Sequence, residues 1–97
     1  MAVLFVLPGA LRELAGNRDE VRLEIENAGV AGPLSSALSH LWAECPALRD
    51  RVITELGEVR PHVNIFVDGE DIRYKGGLTA PVHDGSEVFL IAAVSGG

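Results

Sequence analysis

Apolar and polar residues alternate with changing periods along the chain, and each change marks the boundary of a predicted element. Residues 3–7 are a short apolar run that a Pro-Gly pair ends, which is typical of a buried strand. A turn of helix or a loop is expected at 11–16. Residues 20–26 then alternate, which predicts a second strand with one face in water and apolar side chains at Val21, Leu23 and Ile25. The short connection between the two strands favours an antiparallel hairpin.

The middle of the chain has the helical period. Pro33 suits the first turn of a helix, because its missing N–H would be unpaired there anyway. The residues that follow place one apolar stripe at helical spacing: Leu34, Ala37, Leu38, Leu41, Trp42 and Cys45. Pro46 interrupts this helix. The apolar residues after it predict a second short helical piece that ends before Gly57: Leu48, Val52, Ile53 and Leu56.

The last third of the chain returns to the strand period. Residues 62–67 alternate, and an Asp-Gly turn signal separates them from a predicted short return strand at 72–74. The final strand, 87–94, is apolar on both faces, as is typical of the middle of a sheet. The order β-β-α-β-β predicts an α+β fold, a mixed sheet of four to five strands packed on one main helix. With the first and last strands side by side, this is the β-grasp, or ubiquitin-like, arrangement.

The composition is that of one globular domain, 1–97. Hydrophobic residues make up 47% and charged residues 23% of the chain, which argues against disorder. The net charge of −6 argues against nucleic-acid binding, because phosphate neutralisation needs clustered cations. The single cysteine, Cys45, excludes an internal disulfide and, with no signal peptide at the start, favours the cytoplasm. No apolar run approaches the roughly 20 residues of a bilayer span, so no membrane segment is expected.

The body of the domain offers no pattern of a catalytic, cofactor or metal site. The three histidines are far apart and lack metal-ligand spacing, and Cys45 lies on the apolar stripe of the helix, where a small core residue is expected. Asp68, Glu70 and Asp71 form an acidic cluster that could attract a cation, but turn formation explains it more simply. No phosphate-binding glycine motif is present. We therefore expect a protein that is not an enzyme, with no bound cofactor and no metal.

The end of the chain carries the candidate chemistry. Gly96-Gly97 directly follows the last strand, and an exposed tail is expected at 95–97. The simpler interpretation is a frayed terminus. The functional one is a carboxylate without neighbouring side chains, which can pass a narrow tunnel and approach a nucleotide phosphate. Attack of the Gly97 carboxylate on ATP would give an acyl-adenylate, which a sulfur nucleophile could convert to a thiocarboxylate. The adenylating site would belong to a partner.

The whole chain resembles the MoaD/ThiS-type sulfur carriers, which are prokaryotic ubiquitin-like proteins. The segments that carry the resemblance are Leu-Arg-Glu-Leu-Ala-Gly at 11–16, Asp-Gly-Ser-Glu-Val at 84–88 and Val-Ser-Gly-Gly at 94–97. Residues 62–73, with Gly-Gly-Leu at 76–78, resemble more particularly the CysO-like branch, whose thiocarboxylate feeds cysteine synthesis. The resemblance implies an E1-like adenylyltransferase of the MoeB/ThiF type as partner, which uses ATP, and a thiocarboxylate made on Gly97.

An apolar partner surface is expected beside the tail. Phe66, Phe89 and Ile91 fall on the sheet face opposite the helix, where polar residues are usual. Exposed apolar patches commonly mark interfaces. With Val94 and Ser95, these residues are the predicted partner-binding set. The alternative is that segment 46–61 folds over this face.

Other functions remain open at this point. Within the carrier class, the alternative is the small subunit of molybdopterin synthase. The sulfur-accepting partner would then be the molybdopterin synthase large subunit instead of a cysteine synthase. A cysteine synthase partner would be accompanied by a JAMM-type metalloprotease. A second class is a protein modifier conjugated through Gly97, for which Lys75, the only lysine, would be the sole side chain able to link a polymer. A third is a plain interaction domain.

Overall fold

Within the residues that the structure describes, the main sheet has five strands in a mixed arrangement. The computed structural model describes residues 1–26 and 31–92. Their strands are β1 (Ala2–Val6), β2 (Glu20–Glu24), β3 (Ala31–Pro33), β4 (Val63–Val67), β5 (Glu70–Asp71), β6 (Pro81–His83) and β7 (Glu87–Ala92). The main sheet has the order β2-β1-β7-β4-β5, in which β1 and β7 are parallel and the other neighbours antiparallel. The predicted hairpin and the pairing of first and last strands are confirmed, and the fold is the β-grasp.

Two α-helices pack on one face of this sheet. They are α1 (Leu34–Glu44) and α2 (Pro46–Val52), and the described part of the chain also has 3-10 helices at Gly9–Ala15, Ile72–Tyr74 and Gly77–Thr79. Leu34, Ala37, Leu38 and Leu41 are buried, so the predicted apolar stripe of α1 faces the core. Within residues 1–26 and 31–92, no helix has the length and apolar character needed to cross a bilayer.

Alternate residues of each central strand enter the core. Val3 and Phe5 of β1, Ile65 of β4, and Val88 and Leu90 of β7 are at most 1% exposed and pack with the helices in one cluster. The residues between them face the other side of the sheet and are half-buried or exposed. The predicted inward face of 62–67 is therefore confirmed, although β4 itself begins at Val63.

The prediction that Pro33 lies in the first turn of α1 is wrong by one residue. Pro33 has an extended backbone and ends β3, which pairs with β6 in a small second sheet through Pro33↔Pro81. The helix begins at Leu34, whose N–H donates to the carbonyl oxygen of Ala80 at 2.8 Å. A strand partner almost fifty residues away holds Pro33 outside the helix. Short strands that contain Gly and Pro give no alternation from which to predict them.

The second helical piece is shorter than predicted. It ends at Val52, and Ile53 instead forms an isolated bridge with Val59. The hydroxyl oxygen of Thr54 accepts hydrogen bonds from the N–H groups of Leu56 and Glu58, both at 3.2 Å, which stabilises a turn in place of helix. Leu56 is consequently 86% exposed and is not a core residue.

The predicted return strand at 72–74 is also wrong. The turn before it is as expected, since Asp68 and Gly69 both have positive φ, as a two-residue type I′ hairpin requires. However, β5 is only two residues long. The Asp71 carboxylate accepts a hydrogen bond from the Arg73 N–H at 2.9 Å and starts a 3-10 turn that buries Ile72.

Candidate functional site

The strand that leads toward the terminal glycines lies in the middle of the main sheet. β7 has β1 on one side and β4 on the other, and its last described residue, Ala92, lies opposite Val63. Because β7 is paired on both edges, it provides a rigid base for the segment that follows it. The predicted end of this strand at 93–94 and four predicted site residues lie outside the described residues: Val94, Ser95, Gly96 and Gly97.

The start of β7 is fixed by the carboxylate of Asp68. One carboxylate oxygen accepts a hydrogen bond from the Glu87 N–H at 3.0 Å, and the other accepts one from the Ser86 hydroxyl at 2.9 Å. The Asp68 N–H in turn donates to the Glu87 carbonyl oxygen at 2.9 Å. Ser86 is only 3% exposed, and its hydroxyl oxygen also accepts from the His83 N–H. These bonds satisfy the buried hydroxyl and tie the β4–β5 turn to β7.

The outer face of the main sheet, opposite the helices, carries the predicted apolar residues. Phe66 lies directly opposite Phe89 across the β4–β7 pair, and both are half-buried. Ile91 lies two residues farther along β7 toward the tail, opposite Asn64, and is 37% exposed. The structure therefore brings the three residues together on one face, as the sequence predicted. We call these three residues, together with Leu4 and Val6 of β1, the outer-face patch.

Two members of the outer-face patch were missed by the sequence analysis. Leu4 and Val6 of β1 are half-buried on the same face, and Val6 lies beside Phe89 in the parallel β1–β7 register. The signal was present, because β1, like β7, is apolar at consecutive positions and must therefore place apolar side chains on both faces. The patch thus crosses three neighbouring strands.

Segment 46–61 begins on the other side of the sheet. α2 contacts α1 and the 3-10 helix Gly9–Ala15, and its residues Leu48 and Val52 are fully buried in the common core. The alternative in which this segment folds over the outer face is wrong for α2, whose apolar side chains point into the core from the helix side. Ile91 keeps more than a third of its surface accessible.

Two members of the acidic cluster predicted around the turn, Glu70 and Asp71, are paired with neighbouring cations. Glu70 forms an ion pair with Lys75, and Asp71 forms one with Arg73 at 2.7 Å. Hydrogen bonds from the Arg73 guanidinium and from the Arg73 N–H hold the pKa of Asp71 below its usual 3.8, and the same pairing raises the pKa of Arg73. In the described parts of the chain no group of three or more acidic, histidine or cysteine side chains could hold a metal ion.

Cys45 lies in the core, as the helical stripe predicted. It is 3% exposed, and its sulfur accepts a hydrogen bond from the Arg18 guanidinium at 3.2 Å. The residue ends α1 and precedes Pro46 of α2. Its position is that of a small apolar residue at a helix junction.

Comparisons with known proteins agree with this architecture. The ThiS family matches residues 5–97. The sulfur carrier protein CysO of Mycobacterium tuberculosis is 30% identical over 100% of both chains. Small archaeal modifier protein 1 of Haloferax volcanii is 37% identical over 90% of this chain and 91% of the relative.

Solved structures of sulfur carriers and small modifiers also resemble this chain. The crystal structure of the H. volcanii modifier has a TM-score of 0.83 at 30% identity and covers 100% of both chains. The Amycolatopsis orientalis BexX/CysO complex contains a chain that superposes with a TM-score of 0.82 at 26% identity, covering 98% of this chain and 99% of that one. The relatives' names describe sulfur carriers and small modifiers. The fold and the nearly complete match establish that this chain belongs to the ThiS family of ubiquitin-like sulfur carriers and small modifiers.

Proposed function

We propose that the protein is a sulfur carrier whose C-terminal residue, Gly97, is converted to a thiocarboxylate by a separate E1-like adenylyltransferase of the MoeB/ThiF type. The observation that carries the proposal is the end-to-end match to a protein named as the sulfur carrier CysO. The central position of β7 supports it, because a reacting terminus presented to another protein needs a rigid base.

The chemistry requires two steps at the same carboxyl group, the first through its oxygen and the second at its carbon. The Gly97 carboxylate attacks the α-phosphorus of ATP, pyrophosphate leaves, and an acyl-adenylate forms. A sulfur nucleophile at the oxidation level of sulfide then displaces AMP, so one carboxylate oxygen leaves with AMP and one sulfur takes its place. The partner supplies the ATP site, and this chain supplies the carboxylate.

The outer-face patch is the proposed docking surface for the adenylyltransferase. It lies on the strand that leads to the tail, and Ile91, its most exposed member, is next to the last described residue. A partner that holds the patch also fixes the direction in which the tail leaves β7. Apolar anchors at the centre of an interface supply most of the binding energy.

The proposed sulfur acceptor is an enzyme of the cysteine synthase type. Support comes from the CysO relatives and from the resemblance of residues 62–73 to that branch. In this role the chain acts as a co-substrate and the acceptor performs the transfer. Purified thiocarboxylate form, mixed with a cysteine synthase or with a molybdopterin synthase large subunit, should lose sulfur to the first and not to the second.

A second candidate function is protein modification through Gly97. The observation that favours it is the 37% identity to a protein named as a small archaeal modifier. Lys75, the only lysine, has a side chain that is 51% exposed, so it is accessible to a second copy of the chain although it is ion-paired with Glu70. Conjugates of higher mass that disappear when Gly97 is deleted would favour this function.

Co-expression with the cognate adenylyltransferase tests the carrier proposal. The intact mass should rise by about 16 Da, which is the replacement of one oxygen by sulfur. A variant without Gly97 provides the control and should keep its unmodified mass. Persistent absence of the heavier species with an active adenylyltransferase would contradict the proposal.

A further inference from the structure

The strand β2 forms one edge of the main sheet. Among the described residues it has a strand neighbour on one side only, which is β1. The backbones of Met1 and Ile25 exchange two hydrogen bonds of 2.8 Å, and the Leu7 N–H donates to the Asp19 carbonyl oxygen. Because bonded and non-bonded pairs alternate in an antiparallel ladder, β2 bonds β1 through its odd-numbered residues. The backbone groups that point away from the sheet are those of Glu20, Arg22 and Glu24.

The side chains of these three residues form one row of charges. Glu20, Arg22 and Glu24 lie opposite half-buried residues of β1 on the outer face of the sheet, and all three are exposed. A row of a single sign would repel a second copy in every register, which is a usual protection of an edge strand. The sign of this row alternates instead. It therefore attracts a copy of itself when the two strands are shifted by two residues.

The outward backbone groups restrict the registers in which two antiparallel β2 strands can pair. They bond only where an even-numbered residue of one copy lies opposite an even-numbered residue of the other. The symmetric register sets Arg22 opposite Arg22 and Glu20 opposite Glu24, so that like charges meet throughout. A register with Arg22 opposite Glu20 corrects the charges but places the apolar Leu23 opposite Asp19. Both registers are therefore unfavourable.

One further register matches the charges and the apolar side chains together. It sets Arg22 of each copy opposite Glu24 of the other, with an ion pair on each side of a two-fold axis. At the axis Leu23, which is half-buried in the single chain, lies opposite Leu23 of the second copy. On the same inner face, Val21 lies opposite Ile25. Registers shifted still further leave a single residue pair within β2.

We propose that β2 binds the β2 strand of a second copy of this chain in this register, so that two main sheets join into one continuous sheet. The Met1 amine pairs with Glu24 at 3.5 Å, but the Glu24 side chain is 79% exposed, and a carboxylate can accept from more than one donor. The inference does not depend on the carrier function, because the contact involves neither Gly97 nor the outer-face patch. The two-fold axis places the Ala92 ends of the two β7 strands at opposite ends of the joined sheet.

The association should be weak. Each copy has a net charge of −6, so the two copies repel one another at a distance. At 0.15 M salt the Debye length is about 8 Å, which screens this repulsion while the ion pairs between the strands remain in contact. A contact between two short strands lies at the low end of interface sizes. We therefore expect a dissociation constant of about 0.1 mM.

The first experiment follows the full chain between about 0.01 and 1 mM in 0.15 M salt, a range that spans this dissociation constant. In sedimentation equilibrium, the mass should rise from that of one chain toward that of two. Amide exchange locates the contact, because the N–H groups of Arg22 and Glu24 should exchange at least about threefold more slowly at the highest concentration. The N–H groups of Val21 and Leu23, which bond β1 within one chain, should exchange at the same rate throughout.

Three variants of exposed residues test the register. Arg22→Glu and Glu24→Arg each set like charges opposite one another in a symmetric pair, so each should weaken dimerisation by at least about tenfold. An equimolar mixture of these two variants should associate again, because each new charge then meets an opposite charge. Glu20→Arg makes the same change in net charge as Glu24→Arg, but position 20 has no ion-pair partner in this register. It should dimerise at least as tightly as the unmodified chain.

Several results would overturn the proposal. They are an unmodified chain that keeps the mass of one copy at about 1 mM, a mixture of Arg22→Glu and Glu24→Arg that stays monomeric, and a loss for Glu20→Arg equal to that for Glu24→Arg. Association without slower exchange at Arg22 and Glu24 would place the contact elsewhere and would also overturn it. The concentration series and the exchange measurement need no substitution, so they stand even if a variant fails to fold.

Discussion

Phe66 of β4 lies directly opposite Phe89 of β7, on the sheet face opposite both helices. Neighbouring aromatic side chains on one face can contribute about 0.5–1.5 kcal/mol beyond their area burial. Stability alone does not explain why the apolar surface continues past this pair to Leu4, Val6 and Ile91. A continuous apolar patch on the open face is typical of a docking surface.

Replacing Ile91 by Asp should weaken docking of the adenylyltransferase. A carboxylate at the centre of an apolar interface must be desolvated without a partner. We expect the rate of thiocarboxylate formation to fall by at least about tenfold at limiting enzyme. Since Ile91 is only 37% exposed and lies in a strand paired on both edges, the free energy of unfolding should also fall by about 1–2 kcal/mol, which leaves the chain folded. Intact mass over time measures the rate, and urea unfolding measures the stability.

The control for this variant is Ala47→Asp. Ala47 is an exposed residue of α2 on the helix side of the sheet, so this change adds the same charge away from the outer-face patch. Thiocarboxylate formation on Ala47→Asp should be as fast as on the unmodified chain. An equal loss in both variants would assign the effect to net charge and remove the support for the patch.

Asp68→Asn should loosen the start of β7. The Asn side chain has a single acceptor oxygen, so it cannot accept from both the Glu87 N–H and the Ser86 hydroxyl as the carboxylate does. Asn tolerates the positive φ of this position, which leaves the backbone unstrained. We expect a loss of about 1–3 kcal/mol in the free energy of unfolding. Asp50→Asn, which changes an exposed partner of Arg49, should cost less than about 1 kcal/mol. Equal losses in urea unfolding would contradict the role of Asp68.

Leu41→Ala and Leu56→Ala should differ widely in stability, although both residues were predicted to lie on apolar helix faces. Leu41 is fully buried under the sheet, so its truncation should cost about 2–5 kcal/mol. Leu56 is 86% exposed, so its truncation to Ala should lower the free energy of unfolding by at most about 0.5 kcal/mol. Thermal and urea unfolding measure both. A cost for Leu56→Ala that approaches that of Leu41→Ala would mean that this turn packs against the core.

The sequence predicted those features of the fold that its periodicity expresses directly. The stripe of α1, the β1–β2 hairpin and the inward face of β4 follow from runs of five or more residues. Pro33, Leu56 and the return strand were assigned wrongly because single local interactions or distant partners decide them. Those are the β3–β6 pairing, the Thr54 hydroxyl and the Asp71 cap, and none of them alters the apolar pattern.

The candidate site, like the fold, was predicted from the sequence only in part. The sequence predicted Phe89 and Ile91 because β7 is apolar on both faces, and Phe66 because it alternates with the inward residues of β4. It missed the hydrogen bonds that join Arg73 to Asp71 and Asn64, because they depend on where β5 ends. Side-chain networks of this kind have no period along the chain.

The Asp71–Arg73 pair should make stability depend on pH in a defined direction. Because the pKa of Asp71 is lowered in the folded chain, the pair contributes its full stabilisation above the usual value of 3.8 and loses it as the pH falls through the lowered pKa. Arg73→Gln should therefore be less stable than the unmodified chain at neutral pH, with a difference that shrinks below pH 3.8. Urea unfolding across a pH series measures this difference, and a difference that is constant with pH would contradict the pairing.

The central claim, that the carbonyl carbon of Gly97 receives the sulfur, is tested most directly by locating the added mass after co-expression with the adenylyltransferase. Trypsin cleaves after Lys75, and residues 76–97 contain no further Lys or Arg, so the terminus is released in one peptide. Fragmentation of that peptide should place a gain of about 16 Da on Gly97, as replacement of oxygen by sulfur requires. A gain of about 32 Da on the peptide that contains Cys45, the signature of a persulfide, with an unmodified 76–97 peptide, would contradict the account.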